Sequence, residues 1–203
     1  MFSMNDFDIR EIVYFKKAGV ENTNKAVALA VERCKEGDIS KVVVASSSGD
    51  TGLKVVRALE DTDIQVIPVG LSAGSKYSGS PELEDNKKDF EKSGARYVQG
   101  VLALSGVERA VKERWDTAGP VQVLADGLRI ACEGFKVGIE VTVMAADAGC
   151  VSPDEYVLCI AGTGRGADTV MVVKPAYSSE FFDFAVREIV CKPLTDGVKH
   201  GAM

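Results

Sequence analysis

One histidine stands in 203 residues, His200, close to the end of the chain. Zinc sites of the usual spacing, and serine or cysteine centres that need a histidine base, therefore lack their central residue. Cysteine is sparse as well. Cys34, Cys132, Cys150, Cys159 and Cys191 lie far apart and form no CxxC pair, so they read as reduced core thiols. Only Cys150, just before Ser152-Pro153, carries a reactive alternative. No apolar run is long enough to span a bilayer, and MFSMNDFDIREIVYF mixes charge and aromatics too evenly for a secretory leader. No basic tract appears either: 24 basic residues against 30 acidic ones leave a formal charge of −6, which speaks against nucleic-acid binding. The expectation is a cytoplasmic chain without membrane or nucleic-acid partners.

What the chain does have is KVVVASSSGDTG, Lys41 to Gly52. Lys41 to Ala45 reads as a short buried strand, and Leu53, Val56, Arg57 and Leu59 as the start of a helix with an apolar face. Between them, Ser46, Ser47, Ser48, Gly49, Asp50, Thr51 and Gly52 form a small, hydroxyl-rich turn. A strand, such a turn and a helix start direct free backbone N–H groups and a positive helix end at one spot, where a phosphate is the natural occupant. The plainer reading is a helix cap. Three serines followed by Gly, Thr and Gly exceed what a cap needs.

Strands and helices alternate along the rest of the chain. Ile9 to Phe15 predicts a strand, and Asn22-Thr23-Asn24 caps for a helix reaching Glu36. Ile64 to Val69 follows as a strand. The long Gly/Ser loop from Gly70 to Ser80 carries Tyr77 and has the length of a functional loop. Pro81 begins an acid-led helix, Arg96 to Gln99 a strand and Ser105 to Ala118 a helix with the only tryptophan, Trp115. Val121 to Ala148 predicts helix, with a break or close packing at Gly127, Gly134 and Gly138. Tyr156 to Ala161 and Thr169 to Lys174 predict two strands joined by Gly162, Thr163, Gly164, Arg165, Gly166, Ala167 and Asp168. The spacing GxGxG between two strands is not a dinucleotide fingerprint, which needs GxGxxG before a helix. FFDFAVREIVCKP after Pro175 predicts a short helix or an edge strand.

The pattern implies a single α/β domain over residues 1–203: a three-layer α/β/α sandwich with a mostly parallel sheet and an antiparallel edge strand. The loops at 16–24, 46–52, 70–80, 100–106 and 162–168 all follow predicted strands and are expected on one rim, where ligands of such sheets bind.

At these residues the chain resembles the C-terminal α/β domain of pyruvate kinase. KVVVASSSGDTGLKVVRALEDTDIQVIPV is similar to that domain's strand, Ser/Thr-Gly loop, helix and strand. ADAGCVSPDEYVLCIAGTGRGADTVMVVKP, Ala146 to Pro175, is similar to its late glycine loop. The likeness is greater to a stand-alone, mainly archaeal family of pyruvate-kinase α/β-domain-like proteins, from about Phe15 to Pro193. In the kinase the first loop holds a phosphate of a sugar bisphosphate, and the late loop covers the sugar. The resemblance implies phosphate contacts at Ser46, Ser48, Gly49 and Thr51, with Gly162 to Gly166 folding over. Thr23, Ser47, Asp50, Gly52 and Tyr77 complete the expected rim set. Asp50 departs from the kinase pattern, and the late loop is shorter and lacks the kinase's tryptophan while keeping Arg165. These departures favour a monophosphate over a bisphosphate. The stand-alone family is associated with flavin mononucleotide (FMN), which becomes the leading candidate ligand. The kinase's catalytic residues belong to its separate barrel domain, so pyruvate kinase activity is not expected. The alternatives are a flavin-dependent enzyme, a sugar-phosphate or nucleotide sensor, and an interaction module or homo-oligomer built on FFDFAV.

Overall fold

The computed structural model describes residues 7–75 and 78–194. Among these residues seven strands form one sheet: β1 (Val13–Phe15), β2 (Lys41–Ala45), β3 (Gln65–Leu71), β4 (Val98–Gly100), β5 (Val157–Ala161), β6 (Thr169–Lys174) and β7 (Ala185–Pro193), in the order β1-β7-β6-β5-β2-β3-β4. All pairings are parallel except those of β6 with β5 and with β7. The one reversed strand therefore lies third from an edge, with β7 and β1 outside it. It is reversed because the seven-residue loop 162–168 is too short to hold a crossover helix.

Side-chain alternation assigns the two faces. Val42 and Val44, Leu158 and Ile160, Val170 and Val172 enter one buried cluster with Ala26, Ala30 and Val55 of helices α1 (Thr23–Cys34) and α2 (Asp50–Ala58). Val43, Val157, Cys159, Met171 and Val173 enter the other with Ile139, Met144 and Ala145 of α6 (Glu133–Asp147). Three layers follow from a period-two pattern whose two faces are both apolar. Helix α3 is Pro81–Ser93, with Ser80 as its N-cap accepting from the Leu83 N–H, and Gly94 closing it in the left-handed region. Helices α4 (Gly106–Trp115) and α5 (Pro120–Arg129) form an outer arm. Glu108 of α4 caps α5 by accepting from the Val121 and Gln122 N–H groups at 3.2 and 2.7 Å.

The helical stretch expected over Val121 to Ala148 is two helices, α5 and α6, and the chain breaks at Ile130–Cys132 rather than at a glycine. Gly134 and Gly138 instead give close packing: a Cβ on Gly134 would meet Thr169 Oγ1, and one on Gly138 would lie 2.8 Å from Met171 Cε. After Pro175 the chain makes a 3-10 turn at Ser178–Asp183 and then β7, which is internal, the edge being β1.

All five cysteines are free and buried. Desolvation pushes the thiols of Cys159 and Cys191 up to about 12 and that of Cys34 to about 11, and Cys150 is raised for the same reason. A thiol raised in the folded state adds stability that is present below its unfolded value and lost as pH rises towards the folded one. Stability is therefore expected to decline above about pH 9. Alkylation at pH 8 is expected to leave the native thiols intact and label all five in denaturant. Rapid native labelling of Cys150 would show it to be reactive.

Candidate functional site

Strands β1 to β5 share one direction, so the loops that begin at 16, 46, 72, 101 and 162 leave the sheet at one edge. Adjacent β2 and β5 lie at the point where the topology turns. From β2 the chain passes through α2 to β3 on one side, whereas β5 runs through its hairpin to β6 on the other. The loops beyond β2 and β5 thus lie side by side at the position where open α/β sheets hold ligands.

In the first loop, Gly49 caps α2 at φ 95°, in the left-handed region, and a Cβ there would collide with the Asn86 side chain of α3. The sharp turn leaves the backbone N–H groups of Ser47, Ser48, Gly49 and Thr51 without a protein acceptor among the described residues. Gly49 and Thr51 are buried, and unpaired N–H groups in buried residues are uncommon. The serines are used differently from one another. Ser46 is 4% exposed, and its hydroxyl accepts the Gly52 N–H at 2.9 Å, so it staples the loop from inside. Gly52 has no room for a side chain, since a Cβ would stand 2.8 Å from both Ser46 Oγ and Phe90 Cζ. Ser48 Oγ donates to Asp50 Oδ2 at 3.0 Å, and Asn86 Nδ2 donates to Asp50 Oδ1 and to the Ser48 carbonyl at 3.2 and 2.8 Å. Asp50 is held against α3. Ser47 is half-buried and makes no side-chain hydrogen bond among the described residues.

The facing loop is organised by Asp168, which is 0% exposed. Its Oδ2 accepts from Gly19 N–H (2.9 Å) and Thr163 N–H (3.2 Å), and its Oδ1 from the Thr169 hydroxyl (2.9 Å). One carboxylate thereby joins the β1–α1 loop to the β5–β6 loop. Thr23 adds a second link: its hydroxyl accepts from Ala167 N–H at 3.0 Å and donates to the Val20 carbonyl at 2.6 Å. Gly166, at φ 73°, packs directly on Thr23 and Val20. Gly162 lies against the Gly166 carbonyl, whereas Gly164 faces open space and Arg165 is exposed without an ion pair among the described residues. Thr163 Oγ1 is buried without a partner.

Of the expected set, Ser47, Ser48, Gly49, Thr51, Gly164 and Arg165 lie open on these loops' surface or carry unpaired groups. Ser46, Thr23, Gly52, Gly162 and Gly166 build the frame. Tyr77 lies outside the described residues, as does His200. Asn86 went unread in the sequence, because it reaches Ser48 from 38 positions away on a helix whose local pattern gives no sign of it.

No family model matches the chain. Among solved structures it is similar to the NH3-dependent NAD synthetase from Campylobacter jejuni subsp. jejuni NCTC 11168, in complex with a nitrate ion, at 15% identity and TM-score 0.39, over 70% of this chain and 56% of that one. It is also similar to the SAH-bound Podospora anserina methyltransferase PaMTH1, at 16% identity and TM-score 0.33, over 71% of this chain and 53% of that one. The chain spans little more than half the length of either. At such identities and scores the likeness carries no functional information.

Proposed function

We propose that this chain binds a phosphate monoester at the loop Ser46–Gly52, with FMN as the ligand to test first. The observation that carries the reading is the group of four backbone N–H groups, on Ser47, Ser48, Gly49 and Thr51, that open at the start of α2 beside the loop after β5. Such groups hold an anion without a lysine, and the helix end adds favourable charge. Arg165 on the facing loop supplies an exposed counter-charge. The resemblance to pyruvate-kinase α/β-domain-like proteins supports the choice of a flavin monophosphate; the N–H geometry supports only the phosphate. Asp50 is no obstacle while Asn86 holds it against α3, although phosphate must compete with Asp50 for the Ser48 proton. Phosphate transfer from phosphoenolpyruvate to ADP is not part of this reading.

Titration calorimetry with FMN and riboflavin, on wild type and on the double variant Ser48→Ala/Thr51→Ala, tests it. A hydrogen bond to a charged group contributes about 1.5–3 kcal/mol, so FMN affinity is expected to fall at least about tenfold, with riboflavin little affected. Equal loss for both ligands, or a wild type that binds neither FMN nor inorganic phosphate, reduces this loop to a helix cap.

A further inference from the structure

The sheet ends on β1, whose outer side carries no partner strand among the described residues. The Leu194 N–H donates to the Phe15 carbonyl at 2.8 Å, so Phe15 turns its polar groups towards β7, and alternation turns the N–H and C=O of Tyr14 outward. Apolar side chains gather at this edge. Phe7, Ile9, Ile12 and Tyr14 are 57%, 85%, 38% and 48% exposed, while Val13 and Phe15 pack on the α1-side core. Charge is ordered along the segment. Ahead of the strand stand the exposed acids Asp8 and Glu11, and behind it the exposed bases Lys16 and Lys17; none of the four forms an ion pair among the described residues. Arg10, the one base ahead of the strand, is held by Glu36 of its own chain at 2.7 Å.

We propose that the chain forms a two-fold dimer in which β1 of one copy pairs antiparallel with β1 of the other, joining two seven-stranded sheets into one. The strand selects its own register. Only with Tyr14 opposite Tyr14 does every residue of β1 face a residue of β1, Val13 against Phe15 and Phe15 against Val13. In that register the two Tyr14 residues exchange both N–H···O bonds, which their outward-facing groups allow. A two-fold axis perpendicular to the sheet keeps Val13 and Phe15 of both copies on the α1 side, so the buried layer continues across the junction. Charge selects a second copy as the occupant. Antiparallel pairing lays the segment before one β1 beside the segment after the other. Glu11 of each copy comes to Lys17 of its partner, with Asp8 and Lys16 extending the match at both ends. The segment is complementary to itself in this arrangement, and opposite charges across a strand pair are stabilising where like charges are not.

Sedimentation velocity on the full chain tests the pairing. Wild type is expected to be dimeric at about 100 μM. Tyr14→Pro deletes the N–H that crosses the two-fold axis and leaves the bonds to β7 in place, so it is expected to be monomeric at that concentration with unchanged circular dichroism. Asp8→Lys/Glu11→Lys and Lys16→Glu/Lys17→Glu, at exposed positions outside β1, are each expected to raise the dissociation constant at least about tenfold, and all four together to restore it. Tyr14→Cys reads the register. With partner Cα atoms about 5.5 Å apart, it is expected to form a disulfide between copies on mild oxidation, while the five native thiols stay buried. A monomeric wild type overturns the proposal. A dimer that survives Tyr14→Pro, a combined charge variant that fails to restore pairing, or a Tyr14→Cys dimer that does not cross-link overturns it equally.

Discussion

Asp168→Ala is expected to lose on the order of 3–5 kcal/mol of folding stability, among the largest effects of any single substitution in this chain. Asp168 is fully buried and takes three donors, the Gly19 and Thr163 N–H groups and the Thr169 hydroxyl. Alanine removes the acceptor that all three share and opens a polar void between two loops. Asp168→Asn keeps one carbonyl oxygen and is expected to lose about half as much. Urea unfolding with the slope held constant measures both. A loss below about 1 kcal/mol for the alanine variant would mean that water replaces the carboxylate, and that the two loops are not joined through it. Because Arg165 rides on the same loop, the asparagine variant also reports on ligand binding. If the rim holds a phosphorylated ligand, loosening this loop weakens affinity before it unfolds the chain.

Arg33→Ala is expected to cost on the order of 2–4 kcal/mol at neutral pH. The guanidinium is 4% exposed at the end of α1 and forms two bonds with Asp38, at 2.6 and 3.0 Å, and a third with Glu188 of β7 at 2.8 Å. It ties the C-terminal end of α1 to strand β7, which itself carries the edge strand β1. Removing it leaves Glu188, mostly buried, without its cation. The effect has a pH signature. Hydrogen bonding from Arg33 holds the Asp38 carboxyl below its usual value. A carboxyl depressed in the folded state contributes stability that is present above its unfolded value, about 3.9, and is lost as pH falls through the lower folded one. Wild type is therefore expected to lose stability between about pH 5 and pH 2 more steeply than Arg33→Ala. Urea midpoints at pH 7 and pH 3 for both proteins check this, and parallel acid slopes would show that the pair contributes nothing to acid sensitivity.

The layered α/β architecture and the strand-loop-helix at Lys41–Ala58 were determined by the sequence itself. Their signals are local: β-branched runs in which both neighbours of each residue are apolar, Pro81 and Ser80 opening α3, and glycine where the backbone must turn left at Gly49 and Gly94. The antiparallel hairpin at 162–168 was legible for the same reason, a loop too short for a crossover. Only the tertiary structure decided which hydroxyls in the serine run are free. Ser46 and Ser48 are alike in sequence, yet one faces the Gly52 N–H inside the loop and the other meets Asp50 under the hand of Asn86, a residue brought from α3 by packing. Thr23 and Asp168 likewise became clasps between loops 144 and 149 positions apart. Secondary structure is written in periodicities of two and 3.6 that a short window contains, whereas a side chain's partner across the fold depends on where the sheet order sets two distant loops. The exposed Phe182 shows the same limit: its apolar character marked the segment, but only the packing of Phe181 and Phe184 beneath it decided which of three phenylalanines would remain outside.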